Sequence, residues 1–293
     1  MSNTFENAIR PDFVVDVVAK PNKDFVVKPL AIWERVLDSD GFRRAMILIL
    51  LAAVWQAYAL FADNDLVFPK LTDVLVALWR TTLSGVLPAR TWNSLQTLLT
   101  GYALGIGLGV VITTAAITTR LGSDLLATLT AMFNPLPAIA LLPLALLWFG
   151  LGSGSVLFVL AHSVLWPFAL NTHAGYQAVS ETLRLAGRNC GLPPLQYVMR
   201  VLMPAALPSI IAGLKISWAF GWRTLIAAEL VFGASSSGGG VGWFIFEKRN
   251  DLKIPDVFAG LLVIVLIGLF MEGVFFRLLE RHTVRKWGMV RSV

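Results

Sequence analysis

Six stretches of this chain are apolar for long enough to cross a lipid bilayer, and few features constrain a sequence more tightly. A helix needs about 20 apolar residues to cross the hydrocarbon layer. Inside lipid every backbone polar group must be satisfied by the chain itself, so only helices and closed barrels span. A barrel would show alternating segments of about ten residues, whereas the runs here are long and continuous. Composition agrees: 56% of the 293 residues are apolar and 14% charged, against roughly 25% charged in soluble domains. A soluble two-domain enzyme and a disordered chain are both excluded. The expected fold class is an all-α polytopic membrane protein.

The expected spans are Ala45–Phe61, Leu95–Thr118, Leu125–Phe149, Val156–Ala174, Ala205–Phe232 and Val257–Leu279. The second is rich in glycine (Gly101, Gly105, Gly107, Gly109), which suits close helix approach within one chain or at a seam between two copies. The third is interrupted by Asn134, Pro135, Pro137 and Pro143. The backbone groups freed there are tolerable only beside protein or water, so this span is expected to line a path. Between the first two spans, Pro69 precedes LTDVLVALWRTTL, whose apolar positions recur at helical spacing. That segment is expected to be a helix lying flat on the outer surface.

Six spans put both termini on one side. Sixteen Lys and Arg fall on that side, among them Arg43, Arg44, Arg120, Arg184, Arg188, Arg200, Arg281 and Arg285, and six on the other. The excess predicts cytoplasmic termini and explains the net charge of +6 without a nucleic-acid partner. The expected organisation is a cytoplasmic tail over 1–44, a membrane domain over 45–281 and a second tail over 282–293. Leu30–Leu37 reads equally as a short amphipathic helix on the membrane or as a plain linker. SSSGGG (Ser235–Gly240) is a low-complexity tract. The start shows no basic, apolar-cored leader, and the lone Cys190 allows no disulfide within the chain.

Catalytic chemistry is not visible. There is no phosphate-cradling GxxxxGK[ST] loop and no GxSxG elbow. His162, His173 and His282 match no metal spacing. No catalytic residue, metal or cofactor is expected in this chain, so uphill movement of a solute would draw on ions or on a partner.

The longest polar stretch between spans, residues 175–204, contains GYQAVSETLRLAGRNCGLPPLQYVMRVLM. It is too polar to span and too regular for a linker. Ser180 is placed to cap a helix, Gly191 can end it in a left-handed conformation, and Pro193 and Pro194 suit the first turn of another. The apolar ridge of Leu183, Leu185, Leu192, Leu195 and Val198 would either dock a partner or pack on the chain's own spans.

This loop resembles the coupling motif of ABC importer permeases, EAA-x3-G-x9-I-x-LP. Aligned on Gly191, Ala186 matches the middle alanine, and Val201, Met203 and Pro204 fall at the I-x-LP positions. Leu185 stands where the glutamate is expected, and Gly187 replaces the last alanine. NPLPAIALLPLALLWFGLG (Asn134–Gly152) and LMPAALPSIIAGLKISWAFGWRTLIAAELVFG (Leu202–Gly233) resemble the third and fifth spans of the nitrate, taurine and alkanesulfonate permeases. GVGWFIFEKRN and the segment from Val257 to Gly288 resemble their last loop, span and tail. The resemblance implies a type I importer fold, a second copy of the permease, two cytoplasmic ATPase subunits carrying ATP–Mg and an external solute-binding protein. It places the chain in the cell inner membrane. It gives Leu185, Ala186, Gly187, Gly191, Val201 and Pro204 the role of coupling to the ATPase. The competing readings are an ion-coupled carrier or channel acting alone, and a membrane scaffold.

Charges inside spans cost about 2.5–3.5 kcal/mol on insertion scales, so they tend to face a cavity or a partner. Arg223 suits contact with the oxygens of a sulfonate, carboxylate or nitrate. It equally suits a structural pair with Glu272 or with Glu229 of a second copy. Glu229 lies six residues on, about 240° around the helix, so it does not share Arg223's face. Glu272 is expected in an ion pair, and Lys215 is expected to snorkel. Trp222 reads as an aromatic gate or as packed core, His162 as a pathway donor or a satisfied interior histidine. With Asn134, these give five pathway candidates: Asn134, His162, Trp222, Arg223 and Glu229.

Overall fold

The computed structural model describes residues 40–117, 119–232 and 239–285. The expectations for Leu30–Leu37 and for most of the Ser235–Gly240 tract lie outside them. The chain divides into two units, Met1–Val54 and Trp55–Val293. Among the described residues all regular structure is helical. Four helices there are long and apolar enough to span, or six if each of two bent pairs counts as one.

Helix α1 (Asp40–Ala62) contains the first expected span. Past it the chain turns back at Asp63, a non-glycine residue at φ 41°. The return is tied down by side chains of α1. Gln56 Oε1 accepts from the first backbone N–H of α2 (Leu71–Leu83) at 2.8 Å, and Trp55 donates to the Pro69 carbonyl at 3.0 Å. Helix α2 is the amphipathic segment expected after Pro69. It buries Val74, Ala77 and Thr81, and its Arg80 meets Asp256 at 2.6 Å.

Helix α3 (Val86–Ala116) begins nine residues before the expected span, behind Gly85 at φ 75°. One stripe of it is buried: Leu87, Ser94, Leu98, Gly101, Gly105, Gly109 and Thr113. The three glycines face α6 (Ser153–Gln177). A Cβ on Gly101 would lie 2.6 Å from Leu160 Cβ, one on Gly105 2.7 Å from Val164 Cβ, and one on Gly109 2.5 Å from the Phe168 ring. Glycines at every fourth position of α3 thus receive large side chains at every fourth position of α6. Close packing within one chain is their use, and Gly107 faces open space.

The third expected span is two arms meeting at 87°. Helix α4 (Arg120–Phe133) starts at Thr119, whose hydroxyl accepts from Gly122 N. It stops at Asn134–Pro135. A 3₁₀ turn (Ala138–Leu141) leads into α5 (Leu142–Phe149). Asn134 is still helical and its N–H bonds the Thr130 carbonyl, but Pro135 has no N–H to carry the ladder further, which accounts for the stop. Helix α6 follows and is the most buried span, packed by α3 on one side and by α9 (Leu207–Phe232) on the other.

The polar stretch after α6 folds as a helix pair. Helix α7 (Glu181–Asn189) ends at Cys190, with Gly191 at φ 64°. Helix α8 (Pro194–Ala205), π-wound over Val198–Leu202, starts with Pro194 in its first turn. Pro193 takes the cap position. Ser180 also occupies the cap position, but its side chain makes no capping bond. Arg184 replaces that tether by donating to the Val179 and Tyr176 carbonyls. The expected ridge is divided: Val198 is core, Leu192 is half-buried, and Leu183, Leu185 and Leu195 are exposed. Helix α8 meets α9 at 78°. Helices α10 (Val241–Asn250) and α11 (Ile254–Val284, π-wound over Met271–Phe276 and its last turn) are the last among the described residues.

Candidate functional site: a cavity at the break between two helix arms

The break at Asn134 opens a cavity of about 380 Å³ between α4, α6 and α9. Three of the five pathway candidates line it, each from a different element: Asn134 from the break, His162 from α6 and Arg223 from α9. The other two do not. Trp222 is buried among Leu98, Leu160, Trp218, Leu225 and Phe276. It also borders a neighbouring cavity of about 320 Å³ that Arg223 shares. Glu229 sits in a buried knot away from both.

That knot explains the last charge of α9. The Ser94 hydroxyl lies 2.8 and 2.9 Å from the two Glu229 oxygens. The first two backbone N–H groups of α10 donate into the pair: Val241 N to Ser94 Oγ at 2.9 Å and Gly242 N to Glu229 Oε2 at 2.8 Å. A helix start leaves these donors unpaired and favours negative charge nearby. Glu229 therefore fastens the start of α10 to α3 and α9. Gly240 passes so close that a Cβ there would collide with both Glu229 and Ser94. Sequence reasoning missed Ser94 because its partner lies 135 positions away.

Arg223 is placed differently. Its Nε donates to the Ala219 carbonyl of its own helix at 3.1 Å, and its guanidinium carbon lies 4.9 Å from the centre of the Phe220 ring. The side chain is exposed, and no described carboxylate pairs with it. The pairing with Glu272 that its sequence allowed is taken: Glu272 meets Lys215 at 3.0 Å. Glu272 thus has its ion pair, and Lys215 has a partner instead of only reaching for the headgroups. The terminal amino groups of Arg223 are left to the cavity.

The rest of the lining is apolar or aromatic, with a few polar atoms that lack partners. Phe133 and Trp166 stack at 5.0 Å and 18°, and His162 stands edge-on to both. Both ring nitrogens of His162, Asn134 Oδ1 and Trp166 Nε1 are buried without a hydrogen-bond partner. Buried polar atoms are nearly always paired, so four such atoms in one cavity wall leave hydrogen-bonding capacity there that no described residue uses. Pro167 adds to the polarity, because its missing N–H leaves the Ser163 carbonyl without its helical bond. Trp166, Phe133 and Thr224 were not singled out from the sequence. Trp166 follows His162 by one turn, a spacing that could have flagged it.

The six proposed coupling residues lie together in the α7–α8 pair. Gly187 lets the two helices touch: a Cβ there would stand 2.8 Å from the Tyr197 ring and 3.1 Å from Val201 Cγ2. Gly191 makes the turn in the left-handed region, and a Cβ there would meet nothing within 4 Å. Leu185 is exposed. Val198 and Leu202 root α8 in a core with Phe168, Tyr176, Val179, Ala206 and Ile210. Helix α8 is therefore packed against α6 and α9, two of the three helices that line the cavity, and α7 is joined to it through Gly187.

A polar-edged cavity inside a multi-pass helical bundle suits passage of a solute, and comparison with known proteins defines the class. Residues 101–285 match the family described as binding-protein-dependent transport system inner membrane component, and the chain belongs to that family of ABC transporter permeases. It is 30% identical to a putative aliphatic sulfonates transport permease of Bacillus subtilis (strain 168), over 84% of this chain and 88% of that one. It is 29% identical to the taurine transport system permease of Escherichia coli (strain K12), over 76% and 82%. It is 31% identical to a nitrate import permease of Synechocystis sp. (strain ATCC 27184 / PCC 6803 / Kazusa), over 58% of each. The type I importer fold expected from the sequence is the fold of this family.

Proposed function

We propose that this chain is the membrane-spanning subunit of an ATP-driven importer that moves a small anion into the cell. The anion is a sulfonate, nitrate or a similar oxyanion, as in the names of its relatives. It is handed over by an external binding protein, and two copies of the chain work with two cytoplasmic ATPase subunits. The chain holds no cofactor of its own, and ATP–Mg acts on the partners. It lies in the cell inner membrane with both termini in the cytoplasm, in keeping with the surplus of basic residues on that side. Helices α7 and α8 couple the two processes. ATPase closure drags the pair, and because α8 is rooted against α6 and α9, the cavity walls move with it. Leu185, Ala186, Gly187, Gly191, Val201 and Pro204 form or shape that coupling surface.

The single observation that carries the anion reading is Arg223, a cation inside a span that borders a cavity and has no carboxylate partner among the described residues. Its cost of insertion is recovered when water or an anion fills the cavity. The planar fork can offer paired N–H donors to two oxygens. Arg223→Lys keeps the charge and loses the fork, and Arg223→Gln loses both. Uptake in vesicles supplied with ATP, ATPase and binding protein should fall in the order wild type, Lys, Gln, with assembly and basal ATP hydrolysis kept. Normal uptake by Arg223→Gln would overturn the contact. Uptake by the chain alone, driven by an ion gradient, would overturn the importer in favour of an ion-coupled carrier.

A further inference from the structure

A second cavity, of about 270 Å³, adjoins the first, and Asn134 and Pro135 line both. Thr130, Leu170, His173, Ala174 and Gln177 form the rest of the wall that matters here. One face of α6 serves both cavities. His162 and Trp166 border the first, Leu170, His173 and Gln177 the second, at the three-and-four spacing of a single helix face. Eleven residues separate His162 from His173, about 16 Å along the helix axis. Gln177 is the last residue of α6, so the second cavity lies at the end of the bundle that carries α7 and α8.

The two cavities differ in charge. The first has Arg223, and the lining of the second has no charged side chain. What the second does have is neutral and polar. Thr130 Oγ1 and Asn134 Oδ1 are buried without partners, and Gln177 Nε2 lies 3.4 Å from His173 Nε2. Ser123 Oγ also engages His173 Nε2, at 2.8 Å, so the two-hydrogen amide of Gln177 has a donor to spare, the Thr130 hydroxyl has its own, and the NH2 end of the Asn134 amide can turn to a ligand.

We propose that the second cavity is a second resting place for the transported anion. Thr130, Asn134 and Gln177 hold it there with neutral donors only. This rests on the reading of the Arg223 cavity as the path. Charge-assisted hydrogen bonds are roughly twice as strong as neutral ones, so the anion is held more weakly at the second station than at the first. A permeation path needs binding strong enough to enter and weak enough to leave. The graded pair meets that need, and Asn134, shared by both walls, accompanies the ligand from one to the other. The weaker station lies toward the coupling helices, the side of release.

Thiol protection in the permease assembled with its ATPase in lipid nanodiscs tests this. In a Cys190→Ser background, Ala227→Cys reports on the first cavity and Ala174→Cys on the second. The label is 2-sulfonatoethyl methanethiosulfonate, and the protecting probes are methanesulfonate and nitrate. The expected result is that one of these anions slows labelling at both positions several-fold. Gln177→Leu or Thr130→Val should remove protection at Ala174→Cys and keep it at Ala227→Cys. Each complex is first shown to elute as the wild type does. Protection at Ala227→Cys alone would overturn the second station and leave the path reading standing. Protection at neither position would overturn the path reading and this proposal with it. Protection at Ala174→Cys that survives both polar substitutions would overturn the assignment of the donors.

Discussion

Glu229 and Arg223 share a helix and an apolar neighbourhood, yet the fold gives them opposite surroundings. Glu229 is 9% exposed, with Ser94 and the first turn of α10 donating to it. Arg223 faces a cavity. The difference follows from the helix: six residues turn one side chain about 240° from the other. Glu229→Gln would set an NH2 donor against groups that already donate. An unsatisfied buried polar group costs about 1–3 kcal/mol, so the variant should melt at a lower temperature in detergent. Ser94→Ala should show a loss of the same order, because Val241 N then lacks its acceptor. An unshifted melting temperature in both would count against the knot as a structural fastening.

At the scale of elements, the glycine stripe of α3 gives a paired test. Gly105→Leu must force a side chain into Val164 and the Ala161 carbonyl, the latter 2.9 Å from the new Cβ. Overpacking of this kind costs about 1–3 kcal/mol. Gly107→Leu meets nothing within 4 Å. The first should lower yield and melting temperature, and the second should leave both unchanged. The coupling pair offers another. Gly191 sits at φ 64°, where a residue with a Cβ pays about 1–2 kcal/mol. Gly191→Val should leave insertion intact and reduce ATP hydrolysis stimulated by the binding protein. An unchanged rate in the assembled variant would reject that use of the turn.

The spans, the amphipathic α2 and the α7–α8 pair were legible in the sequence because each depends on local rules. Apolar length is read over about 20 consecutive positions, and helical periodicity, a left-handed glycine and a proline in a first turn over fewer. The early start of α3 was not legible by hydropathy. Residues 86–94 include Arg90 and Asn93, whose polarity argues against lipid. The fold uses them near α10 instead, with Arg90 at 3.2 Å from Glu247 and Asn93 donating to the Gly239 carbonyl. The break at Asn134 was legible, but its 87° angle was not, since proline marks an interruption without setting its direction. The gathering of Asn134, His162 and Arg223 depends on three elements packing together, and no local pattern encodes that.

For the whole molecule, the decisive question is which end faces the cytoplasm, because the coupling role of α7 and α8 fails if that end lies outside. The sequence argues from sixteen basic residues against six. The fold adds a convenient reporter. Cys190 is the only cysteine of the chain, it is exposed, and it closes α7 beside the turn at Gly191. A membrane-impermeant maleimide should therefore miss it in sealed right-side-out cells and label it in inverted vesicles. Adding the ATPase to those vesicles should slow the labelling, since a subunit seated on α7 and α8 would cover the thiol. Reaction from outside intact cells would reverse the topology. Labelling from the cytoplasmic side that the ATPase does not slow would keep the topology and move the docking surface away from α7.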